Sequence, residues 1–103
     1  MRVLIERQVF EKINEFSLAA MRNHPLLSRE TIERRIQLLQ QGLETLRDIL
    51  DFRKARLKQE WIMREWHEFV CEGFVFAYEV CEDEASHERF VWVRDVIHGT
   101  NYR

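Results

Sequence analysis

Proline occurs once and glycine three times in 103 residues, which excludes collagenous, low-complexity and linker-rich architectures built on those residues. Cysteine occurs twice, too rarely for a disulfide-dense secreted scaffold. A tight hairpin at Glu72-Gly73 would set Cys71 beside the turn and Cys81 far along the return strand, out of disulfide reach, so no bridge is expected. Cys71, Cys81, His67, His87 and His98 lack the paired spacing of a zinc ribbon or finger. Neither a metal nor another cofactor is expected. No run approaches the roughly 18 to 20 apolar residues that a membrane span requires. The start, Met1-Arg2-Val3-Leu4-Ile5-Glu6, turns charged too soon for a signal peptide. The expectation is a cytoplasmic protein with no membrane partner. An excess of positive charge is also missing: the net charge is −2, which weakens a case for nucleic acid based on charge alone.

What is present fits one globular domain over residues 1–103, with 46% hydrophobic and 33% charged residues. The charge is unevenly placed. Between Phe52 and Arg64 stand Arg53, Lys54, Arg56, Lys58 and Arg64 against Glu60 alone, followed at once by Glu65, Glu68, Glu72, Glu79, Glu82, Asp83 and Glu84. A basic arm therefore abuts an acidic stretch, either as a solvated connection with internal ion pairs or as a docking surface for a nucleic acid or an acidic protein.

Arg2 to Ile5 fits a short first strand. From Gln8 the spacing turns helical, with Val9, Phe10, Ile13, Phe16, Ala20 and Met21 on one stripe, until His24 and Pro25 stop it. Ser28 can cap a second helix with Glu30 in its first turn, and Ile32, Ile36, Leu39, Leu43, Leu46 and Leu50 carry that helix to about Ile49 or Leu50. Two helices so closely joined form an antiparallel hairpin. Residues 51–65 read as a loop, an irregular arm with a short helical turn. Three strands follow, Trp66 to Cys71, Phe74 to Cys81 and Phe90 to Ile97. A two-residue turn at Glu72-Gly73 opposes Cys71 to Phe74, Phe69 to Phe76 and His67 to Tyr78. One apolar face of this hairpin, Phe69, Cys71, Phe74, Phe76, Tyr78 and Val80, should cover the helices. The other, Trp66, Glu68, Val70, Val75, Ala77 and Glu79, reads as accessible. In the last strand Phe90, Trp92, Arg94 and Val96 alternate with Val91, Val93 and Asp95. The economical architecture is α+β in the order β-α-α-β-β-β, a helical hairpin packed on a small antiparallel-rich sheet.

The run Trp66-His67-Glu68-Phe69-Val70-Cys71-Glu72-Gly73-Phe74-Val75-Phe76-Ala77-Tyr78-Glu79-Val80 and the closing Val93-Arg94-Asp95-Val96-Ile97-His98-Gly99 resemble the paired strands and final segment of the RelE/ParE toxin superfamily. The resemblance, which spans nearly the whole chain, implies the toxin of a bacterial type II toxin-antitoxin module with a cognate antitoxin as partner. RelE-type members cleave messenger RNA on the ribosome without a metal, whereas ParE-type members bind DNA gyrase. Metal-free cleavage needs a base for the ribose 2′-hydroxyl, cations for the phosphate and an acid for the leaving oxygen. RelE-type proteins usually read Tyr-Arg-Leu-Val-Tyr in the middle strand; this chain has Phe74-Val75-Phe76-Ala77-Tyr78, so Val75 replaces the phosphate-binding arginine.

That departure favours the ParE-like branch. A nuclease site would have to be rebuilt from His98, Tyr102 and Arg94, with Arg53, Lys54, Arg56, Lys58, Trp61, Arg64 and Arg103 as RNA- or partner-binding residues. His98 suits either a proton-transfer role or a hydrogen-bonded strand end. Arg94 can equally pair with Glu68 or Glu79. Antitoxin binding is expected around Arg53, Arg56, Lys58 and Trp61, because antitoxins of this class wrap their toxin with an extended or helical tail. The composition neither requires nor excludes a homodimer.

Overall fold

The computed structural model describes residues 2–23, 29–48 and 52–99. His24, Pro25, Ser28, Ile49, Leu50, Tyr102 and Arg103 lie outside the described residues. The elements are β1 (Arg2–Ile5), α1 (Arg7–Asn23), α2 (Arg29–Glu44), a 3-10 turn (Thr45–Asp48), α3 (Gln59–Met63), β2 (His67–Cys71), β3 (Phe74–Glu82) and β4 (Arg89–His98). They form an α+β domain around a four-stranded mixed sheet of order β1-β4-β3-β2, in which β1 runs parallel to β4 and the other pairs are antiparallel.

The hairpin has the register that its alternation dictates: His67 opposes Tyr78, Phe69 opposes Phe76 and Cys71 opposes Phe74. Its turn residues Glu72 and Gly73 have φ of 52° and 80°, the left-handed geometry that matches the twist of a two-residue hairpin. From α1, Val9 and Ile13 are buried; from α2, Leu39 and Leu43; from the 3-10 turn, Leu46. All pack with Phe74, Phe76, Tyr78, Val91, Val93 and Val96 into one core. The helix stripes thus meet the apolar hairpin face. Phe10 is the exception, half exposed beside buried Val9.

Three expectations are corrected. The second helix does not run on as α-helix to residue 49: it gives way to the 3-10 turn at Thr45, whose hydroxyl donates to the Gly42 carbonyl at 2.6 Å and so competes for an acceptor at the helix end. The final strand does not alternate evenly. Tyr78 opposes Val93 but Ala77 opposes Asp95, which leaves Arg94 as the extra residue of a β-bulge. The bulge switches parity, so Val91, Val93 and Val96 share the helix-facing core while Asp95 goes to the opposite face.

The third correction concerns that opposite face, which is largely covered: Trp66, Glu68, Val75 and Ala77 are buried, and only Val70 stays exposed, with Glu79 half-buried. Residues 53–55 pair with the outer edge of β2 through the Ala55 amide to the Trp66 carbonyl (2.9 Å) and the Glu68 amide to the Arg53 carbonyl (2.8 Å). The chain then folds into α3, whose Trp61 is fully buried. Ala55, Trp61 and Trp66 join Val75 and Ala77 in a second apolar cluster. Periodicity cannot reveal this. Among many charges the arm has only a few apolar residues, and its burial depends on the sheet already standing beneath it.

Candidate functional site

The arm is fastened by a buried carboxylate. Asp95 is only 5% exposed, and its Oδ1 accepts from the Val96 amide (2.8 Å) and from Lys12 of α1. Its Oδ2 accepts from Trp61 Nε1 at 2.9 Å, with Lys58 Nζ at 3.5 Å. Burial acts to raise the carboxyl, but the bonds from Lys12, Trp61 and Val96 outweigh it and hold Asp95 below its ordinary range. A second fastening is weaker. Glu68 is buried with Arg53 Nε 3.6 Å from Oε1, while its Oε2 has no hydrogen-bond partner among the described residues.

A third group surrounds Arg94. Its Nε lies 3.3 Å from Glu6 and its Nη1 lies 3.8 Å from Glu79, and the guanidinium stacks 4.0 Å over Trp92 and 5.5 Å from Trp66. Glu79 also accepts from Trp66 Nε1 at 2.8 Å and from Cys81 Sγ at 2.9 Å. Burial and then Glu79 push the Cys81 thiol up to about 11, so it stays protonated at neutral pH. Arg94, a candidate for catalysis, is thereby neutralised by two carboxylates and boxed by two indoles.

His98 ends β4 on the other side of the sheet, where its ring stacks on Phe16 (4.1 Å, 19°) and meets Phe74 edge-on at 5.0 Å. Burial, then the neighbouring Arg35 charge, hold the imidazole below its ordinary value. Arg35 Nη2 donates to the Glu72 carbonyl at 3.2 Å, and the Gly99 amide donates to the Gly73 carbonyl at 2.8 Å. The turn, α2 and the end of β4 are thus bound together. Lys12, Phe16, Phe74, Val96, Ile97 and His98 line one open cleft at this end. His98 and Arg94, paired as candidates in the sequence, have different neighbours on opposite faces of the sheet.

The basic arm is less available than its composition implies. Trp61 is buried, so it cannot serve as an exposed docking residue. Arg53 pairs with Glu68, Lys58 with Asp95, and Arg64 with Glu60 at 3.4 Å while lying 5.3 Å from the Trp66 ring. Lys54 and Arg56 are exposed and make no ion pair among the described residues. Lys12, Arg35 and Asp95 were missed. The signal for Asp95 was present, as one acid inside the apolar run Val91 to Ile97; a lone surface-type Lys12 or Arg35 on a helix carries no such mark.

Comparisons with protein-family models, curated proteins and solved structures find no match to this chain.

Proposed function

We propose that this chain is the toxin of a type II toxin-antitoxin module, of the ParE-like kind, inhibiting growth by binding DNA gyrase and neutralised by a cognate antitoxin. The reading rests on the sequence resemblance, and the α+β class with α1 and α2 on one sheet face supports it, although α3 of the arm adds a third helix to the expected order. The observation that favours binding over cleavage is the state of the sheet face where a nuclease would hold phosphate. Val75 is buried there beneath Ala55 and Trp61, and Arg94 is committed to Glu6 and Glu79. The cover of the arm and the pairing of Arg94 with Glu6 and Glu79 both disfavour a phosphodiester on that face. Lys54 and Arg56 are the cations of the arm that remain for an acidic antitoxin segment.

Expression of the chain alone in a bacterial host tests the proposal, with transcript integrity and DNA supercoiling as readouts. Growth arrest with intact transcripts and gyrase inhibited by the purified protein is expected. Cleaved transcripts would establish the RelE-like, ribosome-associated ribonuclease instead. Accumulation of soluble protein without harm would remove both readings and leave a module that has kept its fold and lost its poison.

A further inference from the structure

Where the arm meets the start of β2, a pocket of about 480 Å³ opens, within the range that small-molecule sites occupy. Ala55 and Trp66, both buried, and half-buried His67 line it together with Ile62, which is 44% exposed. Lys54 and Glu65, both exposed, complete the lining, and all of these belong to the described residues. One cation and one carboxylate thus share an opening with apolar groups.

From this juxtaposition we infer that the pocket binds a free, zwitterionic amino acid with an aliphatic side chain, its carboxylate at Lys54, its ammonium at Glu65 and its side chain against Ile62.

The charges of the arm single out these two groups. Arg53, Lys58, Glu60, Arg64 and Glu68 are each paired, whereas Lys54 and Glu65 have no ion pair among the described residues, with each other or with a third group. Both charges therefore remain to be matched. Glu65 also holds its left-handed φ of 57°, a geometry that glycine takes without strain, and strained backbone of this kind gathers at ligand clamps. A phosphate would be repelled by Glu65 and a simple amine by Lys54. A zwitterion meets both. An aliphatic side chain would in addition cover Ile62 and remove its apolar surface from water. None of this depends on the toxin reading, and Arg56, outside the lining, stays available to an acidic segment.

The test is an NMR titration of the full chain near pH 6.5, where an α-amine is charged, following the Ile62 methyl groups and the backbone amides of Lys54, Glu65 and Trp66. The probes are L-leucine, N-acetyl-L-leucine, which lacks the ammonium, and L-leucinamide, which lacks the carboxylate. Leucine should give saturable shifts at these signals with a dissociation constant on the order of 1 mM. Each blocked analogue should bind about tenfold more weakly, as expected for the loss of one charge-assisted contact. Lys54→Gln should weaken leucine about tenfold and leave leucinamide unchanged, and Glu65→Gln should weaken leucine by a similar factor and leave N-acetylleucine unchanged. Amide signals away from the pocket show whether these exposed substitutions spare the fold. Three results would each overturn the inference: no saturable shifts with leucine, a blocked analogue binding as tightly as leucine, or a folded variant that keeps the full affinity for leucine.

Discussion

Trp61 and Asp95 are both buried, and the indole Nε1 donates to the carboxylate at 2.9 Å, which ties the arm to the far strand of the sheet. Lys12 joins the same carboxylate from α1, on the other side of the sheet. One side chain thus links helix, strand and arm.

Asp95→Ala should cost about 2 to 4 kcal/mol, since it strands the Trp61 and Val96 donors in a dry environment. Urea unfolding measures this. Because the folded carboxyl lies below its unfolded value, the stability it contributes is complete above about pH 4 and is lost as pH falls through the folded value. Asp95→Asn should flatten that acid limb.

His98 acts with the opposite chemistry at milder pH. Its folded value lies below the unfolded 6.5, so near pH 6 the unfolded chain binds more protons than the folded one. Stability therefore rises with pH there, and falls as acid takes pH from 6.5 down through the folded value. Denaturant midpoints at pH 7.5 and 5.5 should differ in the native chain, and by less in His98→Phe. An equal difference in both would remove His98 from the account.

Gly42 lies on α2 where a methyl group would overlap Cys71 Sγ. Alanine normally favours a helix over glycine by about 1 kcal/mol, so the usual rule predicts a gain. Gly42→Ala should instead destabilise by about 1 to 3 kcal/mol through overpacking. Adding Cys71→Ala should restore most of the loss, and a double-mutant cycle reads the coupling.

Glu65 and Glu72 hold left-handed backbone, with φ of 57° and 52°. Glu65 follows the end of α3, where its amide donates to the Ile62 carbonyl at 3.0 Å, a position that favours glycine. Glu65→Gly and Glu72→Asn should each raise stability by about 0.5 to 1 kcal/mol, visible as a higher melting temperature.

Val75→Arg would restore the arginine that RelE-type proteins carry in the middle strand. Since Val75 is 7% exposed beneath the arm, the guanidinium must either be buried without a partner or lift Trp61 away. A loss of about 3 kcal/mol or more is expected. Messenger RNA cleavage by the variant would contradict the proposed binding mode.

The strands and the β2–β3 pairing were legible because alternation and the Glu72-Gly73 turn act over a few neighbouring residues, whereas the parallel β1–β4 pairing and the bulged β3–β4 register were not. The β2–β3 register follows from these alone. The two helices were legible for the same reason, their stripes repeating at three and four. The short α3 was legible only as a helical turn within an arm read as loop, since five residues with Trp61 and Ile62 among charges present no repeat to fix its bounds.

The candidate site was legible only in parts. His98 stood out as an ionisable residue at a strand end, but its partners Phe16 and Arg35 come from two helices distant in sequence. For Arg94 the sequence offered Glu79 as a partner beside the catalytic reading, but its closer acid, Glu6, cannot be assigned before the end of β1 is placed beside β4.

The sequence by itself determined the α+β class, the four strands, the two long helices and the apolar hairpin face, since each depends on local periodicity and turn chemistry. That both faces of the sheet carry cover, and which cations are left unpaired by it, depends on the tertiary structure alone. The bulge at Arg94 turns Asp95 towards the arm, and the arm closes because burying Trp61 and satisfying Asp95 are one event. A carboxylate, an indole and two lysines up to 83 positions apart meet in it, a distance over which no sequence period operates.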